Sequence, residues 1–199
     1  PSGAMSVWRF DGPRLVEVLG WTAEIVRAAM ASFGAVAFAA KPINGQPYVV
    51  PVEAAVSSPR DGGTALRRAV GFPVDRLRDI VDGLEEHAGL SLEDRDVRVS
   101  VPEFAERRIT DTALDFAVAA AIVSSAKRLN LPPSCVMGAV GITGRVTPVS
   151  DLGDRVGVLR ACDISGLVTS SWHASVEAAC AGVEFVPVSG LDGLVKWVQ

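Results

Sequence analysis

Two periodicities of apolar residues divide the chain into helices and strands. A period near 3.6 residues predicts a helix, and strict alternation or a short apolar run predicts a strand. The predicted helices cover 13–31, 73–89, 113–127, 152–163, 174–182 and 191–199. The predicted strands cover 35–41, 46–56, 96–101, two pieces of 132–149, 166–170 and 183–189. This order predicts an α/β (α+β) fold in which helices cover one sheet.

Glycine, asparagine and proline mark the expected ends and turns of these elements. Gly89 follows the second predicted helix and is suited to cap its C-terminus. Asn44-Gly45 and Thr143-Gly144 predict tight turns between strands, and 57–68 reads as a polar, glycine-rich loop. Pro51 lies inside a strand run, and its missing N–H predicts an edge strand or a bulge.

The helix predicted over 113–127 is apolar nearly all round, which indicates a buried position. It ends in Ser124-Ser125-Ala126-Lys127, where the first serine and the lysine have the spacing of a nucleophile and its base. A nucleophilic serine of this kind needs the N-terminus of a helix, where N–H groups stabilise an oxyanion. Here the pair lies in the last turn, at the negative end of the helix dipole. The sequence therefore predicts a structural helix.

Composition excludes several classes of protein. The 199 residues include 19 basic and 23 acidic ones, and the formal net charge of −4 argues against a general polyanion binder. The three cysteines are far apart, which is typical of reduced thiols in the cytoplasm. We see no secretion signal and no uninterrupted membrane span. The residues before Met5 are typical of a cloning remnant.

No metal or cofactor is expected. His87 and His173 are the only histidines, and neither has cysteine, histidine or carboxylate neighbours at the spacing of metal ligands. No phosphate-binding loop occurs, and the segment "GITG" is too short for a dinucleotide fingerprint.

Arginines form the densest basic cluster of the chain just after the predicted loop. Arg67, Arg68, Arg76 and Arg78 are the candidates for contact with nucleic acid. The alternative is solvated charge, or ion pairs between subunits, since aspartates and glutamates lie among them.

Four segments match one known domain family in their order along the chain. They are "VPVEAAVSS", "LRRAVGFPVDRLRDIVDGLEEHAGLSLEDRDVRVSV", "TDTALDFAVAAAIVSSAKRLNLPPSCVMGAVGITGRVTPVSDLGDRVGVLRAC" and "GVEFVPVSGLDGLVKWV". Together they resemble Lon-protease-like domains, and among these the C-terminal domain of the RadA (Sms) recombination proteins. The resemblance implies a Lon-like (ribosomal S5 domain 2-like) domain over 35–199. Residues 1–34 would then hold the cloning remnant and an additional N-terminal helical segment.

The resemblance also locates the catalytic dyad of Lon proteases on this chain. The Gly-Pro-Ser-Ala-Gly segment of those enzymes falls on 111–115, so that Ala113 occupies the nucleophile position. The lysine position falls on Arg155. An alanine has no nucleophile, and an arginine stays protonated and is no base. The resemblance therefore implies that both catalytic groups are missing.

The implied function is a non-catalytic scaffold or oligomerisation module, in or beside DNA recombination and repair. The expected partners are further copies of the chain in a ring, such as a hexamer, and DNA or a recombination protein. The matching segments include neither the zinc finger nor the ATPase of RadA proteins. Two alternatives remain: a serine peptidase with a relocated nucleophile (Ser100, Ser124 or Ser150), or a peptide- or small-molecule-binding protein that reuses the fold.

Overall fold

The structure is a computed structural model that describes residues 8–11, 13–17, 21–40, 48–59, 63–101, 111–171 and 182–199. The described strands are β1 (Trp8–Asp11), β2 (Arg14–Glu17), β3 (Ala35–Ala40), β4 (Tyr48–Ser57), β5 (Arg67–Val70), β6 (Asp96–Ser100), β7 (Ser134–Met137), β8 (Ala139–Val140), β9 (Val146–Thr147), β10 (Gly166–Ser170) and β11 (Glu184–Val188). The described helices are α1 (Trp21–Met30), α2 (Val74–Ala88), α3 (Leu114–Lys127), α4 (Leu152–Leu159) and α5 (Leu191–Trp197), with a 3-10 helix at Arg160–Cys162.

Seven strands form one mixed sheet in the order β11-β10-β7-β3-β4-β6-β5. Strand β4 is antiparallel to β3 and β6, and the other four neighbouring pairs are parallel. Strands β1–β2 and β8–β9 form two small antiparallel sheets beside it. Helices interleave with the strands in the second half of the chain, so the predicted α/β class is confirmed.

The hydrophobic core lies on both faces of the central strands. Every residue of β3 is buried, which requires cover on each side of the sheet. Helix α3 contacts β3, β4 and β7 on one side, with α2 and α5 packed beside it. Helices α1 and α4 contact β3 and β4 on the other. Helix α3 is buried from Leu114 to Ser125, which confirms the buried helix that its composition predicts.

The structure corrects three predictions of local structure. The single helix expected over 13–31 is wrong, because a β1–β2 hairpin with Asp11 opposite Arg14 precedes α1. The turn signal in that segment is the dipeptide Gly12-Pro13. Strand β5 begins at Arg67, inside the loop predicted over 57–68. This short strand is stabilised by its pairing with β6, which the local sequence does not reveal. The turn predicted at 44–45 and residues 174–181 of the predicted helix over 174–182 fall outside the described residues.

Pro51 lies in an inner strand, so the predicted edge strand or bulge is wrong. Strand β4 runs between β3 and β6. Pro51 is opposite Ala37 of β3, but the described pairing of β4 with β6 begins only at Glu53. Within the described residues, the ladder between β4 and β6 therefore does not include Pro51.

Candidate functional site

The candidate site lies where α3 begins, at the carboxyl ends of three parallel strands. Strands β3, β7 and β10 run in the same direction, so their last residues meet at one edge of the sheet. Ligands of open α/β sheets bind at such an edge. Residues 111–115 and Arg155, singled out by the resemblance to Lon proteases, meet at this edge.

Arg155 is buried and its three side-chain nitrogens are all engaged. Its Nη2 lies 2.7 Å from Oδ2 of Asp111. Its Nη1 donates to the carbonyl of Ala39 at 2.6 Å, and its Nε donates to the carbonyl of Ser150 at 3.2 Å. The guanidinium carbon also lies 5.8 Å from the ring centroid of Phe38, within the range of a cation–π contact. Arg155 thus ties α4 to β3 and to the start of α3.

Asp111 connects the two positions that the resemblance assigns to the dyad. Its Oδ1 accepts the backbone N–H of Ala113 at 3.1 Å, while its Oδ2 faces Arg155. The Oδ2 contact is a short-range ion pair without the alignment of a hydrogen bond. Ala113 is buried, with an exposed fraction of 2%. One carboxylate therefore joins Ala113 and Arg155.

The amides at the start of α3 all have acceptors within the protein. The first N–H groups of a helix have no hydrogen-bond partners within the helix. Serine hydrolases use such N–H donors to stabilise an oxyanion. Here the pairs are Ala113 N–H with Asp111 Oδ1 (3.1 Å), Leu114 N–H with Asp111 O (3.2 Å), Asp115 N–H with Thr112 O (3.2 Å) and Phe116 N–H with Gly138 O (3.0 Å). None of these four donors is left for a substrate.

Gly138, between β7 and β8, closes the same region from the other side. Its own N–H donates to the carbonyl of Ala113 at 2.9 Å. A Cβ atom at this position would lie 2.5 Å from Cγ1 of Val146 and 3.3 Å from Cβ of Phe116. A side chain at this position would collide with Val146 of β9, which explains the glycine here.

A second buried carboxylate lies one turn further along α3. Asp115 forms an ion pair with Arg76 of α2, and its Oδ2 also accepts the N–H of Val140 at 3.4 Å. Burial raises the pKa of Asp115 to about 6, and the neighbouring Arg76 opposes that rise. Arg76 is therefore held against the helix start.

The four arginines predicted to contact nucleic acid occupy different environments. Arg67 donates to the carbonyls of Arg95 (2.5 Å) and Leu92 (3.0 Å), and so anchors the loop before β6. Arg76 pairs with buried Asp115, and Arg78 pairs with Asp75 at 3.0 Å on the exposed side of α2. Arg68 is exposed on β5.

Arg68 belongs to an open face of the sheet that periodicity alone did not identify. It lies directly opposite Arg98 of β6, which is also exposed. Leu66 and Val70 flank Arg68 along the chain and are 46% and 50% exposed. We call these four residues the β5–β6 face. The sequence analysis did not single out Arg98. The alternation in 96–101 nevertheless places Arg98 on one face of β6 and the buried Val97 and Val99 on the other.

The serines near the end of α3 have structural partners. Ser124 Oγ accepts the N–H of Gly34 at 2.7 Å and donates to the carbonyl of Leu129 at 2.6 Å. Ser125 Oγ accepts the N–H of Val56 at 2.9 Å. These contacts join the end of α3 to the residue before β3, to β4 and to the segment after the helix, and they agree with a structural role for this part of the chain.

Among the residues that the structure describes, the remaining candidates add no further site. His87 lies 3.1 Å from the carbonyl of Ile142, while His173 falls outside the described residues. Ser100 is half-buried in β6, and Ser150 is exposed before α4. Across the described ranges, no cluster of three metal-ligating side chains occurs. Nor does any described helix combine the length and apolar character that a membrane crossing requires.

Comparison with known proteins gives one consistent result. No protein-family model matches the chain. The chain is 38% identical over 112 residues to the DNA repair protein RadA of Brucella abortus, which covers 56% of the chain and 23% of that relative. It is 28% identical over 200 residues to RadA of Aquifex aeolicus, covering 98% of the chain and 43% of the relative. RadA of Bacillus subtilis is 29% identical over 156 residues, covering 76% and 29%.

These alignments span less than half the length of the relatives they match. The alignment with RadA of Aquifex aeolicus covers nearly the whole of the present chain. The chain is therefore related in sequence to the DNA repair proteins named RadA.

Proposed function

We propose that the chain is a non-catalytic, Lon-like scaffold module that acts in or beside DNA recombination and repair. The observation that carries the proposal is the saturated start of α3. Ala113 has no nucleophile, and Arg155 is held by two backbone carbonyls and by an ion pair with Asp111. The N–H groups that would stabilise an oxyanion have internal partners. The relation to RadA supports the link to DNA repair.

A restoration experiment tests the lack of catalysis. The double variant Ala113→Ser/Arg155→Lys returns the side chains of a Lon dyad but leaves the four amides occupied. We expect neither the wild type nor this variant to hydrolyse casein or a fluorogenic peptide above background, with an active Lon protease as the positive control. Hydrolysis by the wild type that one of Ser100→Ala, Ser124→Ala or Ser150→Ala abolishes would refute the proposal and support the relocated peptidase.

The proposed contact with DNA centres on Arg68 and includes Arg98. Arg67, Arg76 and Arg78 were candidates of equal standing, but their guanidinium groups already have protein partners. Arg68 and Arg98 lie side by side on an exposed strand pair, which suits contact with a phosphate backbone.

Mobility-shift titrations over a range of salt test this contact. Each lost phosphate contact lowers the log–log salt slope by about one unit, so Arg68→Ala/Arg98→Ala should lower it by about two. The control Arg78→Ala/Arg160→Ala removes the same charge from other exposed positions and should leave the slope nearly unchanged. Equal slopes for the two double variants would contradict the proposed contact.

The scaffold role requires self-association, which we propose takes the form of a ring in the cytoplasm. Because a single subunit carries a net charge of −4, measurable affinity for DNA depends on repeating the β5–β6 face in one assembly. Light scattering and sedimentation at high protein concentration are the direct tests. A monomer in both would refute the ring without bearing on catalysis.

A further inference from the structure

We propose that the outer edge of β5 binds an extended segment of a partner protein, which adds a strand to the sheet and places a carboxylate opposite Arg68. Strand β5 is the last strand of the seven-stranded sheet, and among the described strands it has a neighbour on one side only. The proposal goes beyond the DNA contact at the β5–β6 face and does not rest on it, because it starts from the backbone of β5.

The backbone groups of Arg67 and Ala69 point away from the sheet. The carbonyl groups of Leu66 and Val70 accept N–H groups of β6 and of the residue after it, at 2.8 Å and 3.0 Å. Since alternate residues of a strand bond to the same neighbour, the N–H and C=O groups of Arg67 and Ala69 face outward. A peptide backbone supplies both the acceptors and the donors that such an edge requires.

The opposite edge of the sheet does not offer the same row of groups. It is formed by β11, in which Glu184 and Val188 bond to the residues just before and after β10 at 2.7 Å and 3.0 Å. Phe185 and Pro187 are therefore the outward-facing residues of β11, and Pro187 has no N–H. Proline at an edge is one of the ways in which sheets avoid further pairing. Strand β5 contains neither a proline nor a bulge.

The side chains beside the edge define the sequence of the segment. Arg68 and the adjacent Arg98 lie on one face, and Leu66 and Val70 flank Arg68 on that face with exposed fractions of 46% and 50%. Glu53, an exposed carboxylate of the same face, lies on β4, two strands in from the edge. Directly opposite side chains of paired strands interact. The segment therefore has the pattern apolar-x-acidic-x-apolar, with its acidic residue opposite Arg68.

Two other occupants match this edge less well. Two copies of the chain paired antiparallel along β5 would bring their Arg68 side chains close together, and like charges on paired strands are destabilising. A phosphate backbone offers acceptors to Arg68 but no donors to the outward C=O groups of Arg67 and Ala69. An extended segment with a carboxylate satisfies both the charge and the backbone.

Titration with short blocked peptides, followed by the amide resonances of Arg67 and Ala69, tests the edge. No DNA is present, so a failure here is distinguishable from a failure of the DNA contact. The probe is acetyl-Ser-Val-Thr-Glu-Thr-Val-Ser-amide, with glutamine and lysine analogues at the central position. We expect the glutamate peptide to bind saturably, to shift both resonances and to slow the hydrogen exchange of both amides. The glutamine analogue should bind about threefold more weakly, and the lysine analogue more weakly still.

N-methylation tests whether the segment binds as a strand. Methyl groups on the two threonine nitrogens remove the donors that meet the C=O groups of Arg67 and Ala69, and they should weaken binding at least about tenfold. In an antiparallel pair, the N–H of the central glutamate points away from β5. A methyl group on that nitrogen is the matched control and should leave the affinity nearly unchanged.

Variants of β5 test the charge and the backbone separately. Arg68→Glu keeps the edge and reverses the charge, so it should bind the lysine peptide more tightly than the glutamate peptide. Arg78→Glu, exposed on α2, should retain the preference for glutamate. Ala69→Pro removes one outward N–H and no bond to β6, and should abolish binding, whereas Ala69→Ser keeps the N–H and the binding. Where Ala69→Pro does not fold, Arg68→Glu still decides.

Several results would overturn the proposal. One is the absence of saturable binding, or equal binding of the glutamate and lysine peptides to the wild type. Another is an equal loss of affinity from methylation at glutamate and at the threonines, which would exclude pairing as a strand. A preference for glutamate that persists in Arg68→Glu would place the peptide elsewhere. Protection of the Arg67 and Ala69 amides that rises with protein concentration, without peptide, would assign the edge to a second copy of the chain.

Discussion

The start of α3 and the β5–β6 face differ in how their polar groups are used. At the start of α3, Asp111 and Arg155 are paired with each other and with backbone groups, in a largely buried setting. On the β5–β6 face, Arg68 and Arg98 lie next to each other in the exposed part of the sheet, and two large apolar residues beside them are about half exposed.

This difference separates the groups that hold the fold from the groups that are open to a partner. Charges that are buried and paired contribute to the geometry of the native state, and removing one partner leaves the other uncompensated. Exposed like charges contribute little to stability and are free to meet an anion. Substitutions in the first region should therefore lower the free energy of unfolding, whereas those in the second should change binding.

The largest effect is expected for Arg155→Met. This substitution removes the buried partner of Asp111 and should lower the free energy of unfolding by about 3 kcal/mol. The value lies near the lower limit for buried ion pairs because Asp111 is 22% exposed. Urea unfolding measures the difference. Arg78→Met breaks the exposed pair with Asp75 and should cost less than about 1 kcal/mol. If Arg155→Met costs no more than this control, the pair at the start of α3 has no special structural role.

Ser124→Ala should have the next largest effect. The hydroxyl bridges the N–H of Gly34, in a buried contact, and the carbonyl of Leu129, in a partly buried one. Its loss leaves the buried N–H without this partner and costs about 1–3 kcal/mol. Ser150→Ala, at an exposed position, should stay within about 0.5 kcal/mol. Thermal and urea unfolding should agree. If Ser124→Ala left the stability unchanged but abolished a peptidase activity of the wild type, the structural interpretation of Ser-x-x-Lys would be wrong.

The pH dependence of stability sharpens the comparison at Asp115. Because its pKa is raised to about 6, the folded protein holds this proton more tightly than the unfolded chain. The stability contributed by Asp115 is therefore present below about pH 4 and is lost as the pH rises through about 6. Asp115→Asn lacks this dependence.

Relative to the wild type, Asp115→Asn should gain on the order of 1 kcal/mol in stability between about pH 4.5 and about pH 7. Urea unfolding at both pH values measures it, with Asp82→Asn as the control for loss of a carboxylate. A constant difference between wild type and Asp115→Asn would mean that Arg76 compensates fully for burial of the carboxyl.

Periodicity predicted the long elements well because each carries its own signal. The apolar run after Asp111 is long enough to specify α3, and Gly89 ends α2 as its position predicts. Strands β1, β2 and β5 have four residues each and depend on a neighbouring strand rather than on local pattern. Short strands of this kind leave little signal in one sequence.

The candidate site was only partly predictable for the same reason. The resemblance identified Ala113 and Arg155, but the carboxylate that joins them belongs to Asp111, which lies far from Arg155 along the chain. Likewise, the basic cluster read from neighbouring positions contained Arg68, whereas its partner Arg98 comes from the register of β5 and β6. Long-range pairing of this kind requires the three-dimensional fold.

The smallest effect on stability is expected for Arg68→Glu. This substitution should raise the stability slightly but weaken the binding of DNA. Like charges directly opposite each other on neighbouring strands are destabilising, and an opposite-charge pair contributes about 0.2–1 kcal/mol. A glutamate opposite Arg98 should therefore raise the free energy of unfolding slightly, while a carboxylate among phosphates should abolish the DNA contact. Arg68→Gln removes the repulsion without adding an attraction and should lie between the wild type and Arg68→Glu in stability. A loss of both stability and binding in Arg68→Glu would show that Arg68 belongs, like Arg155, to the groups that hold the fold.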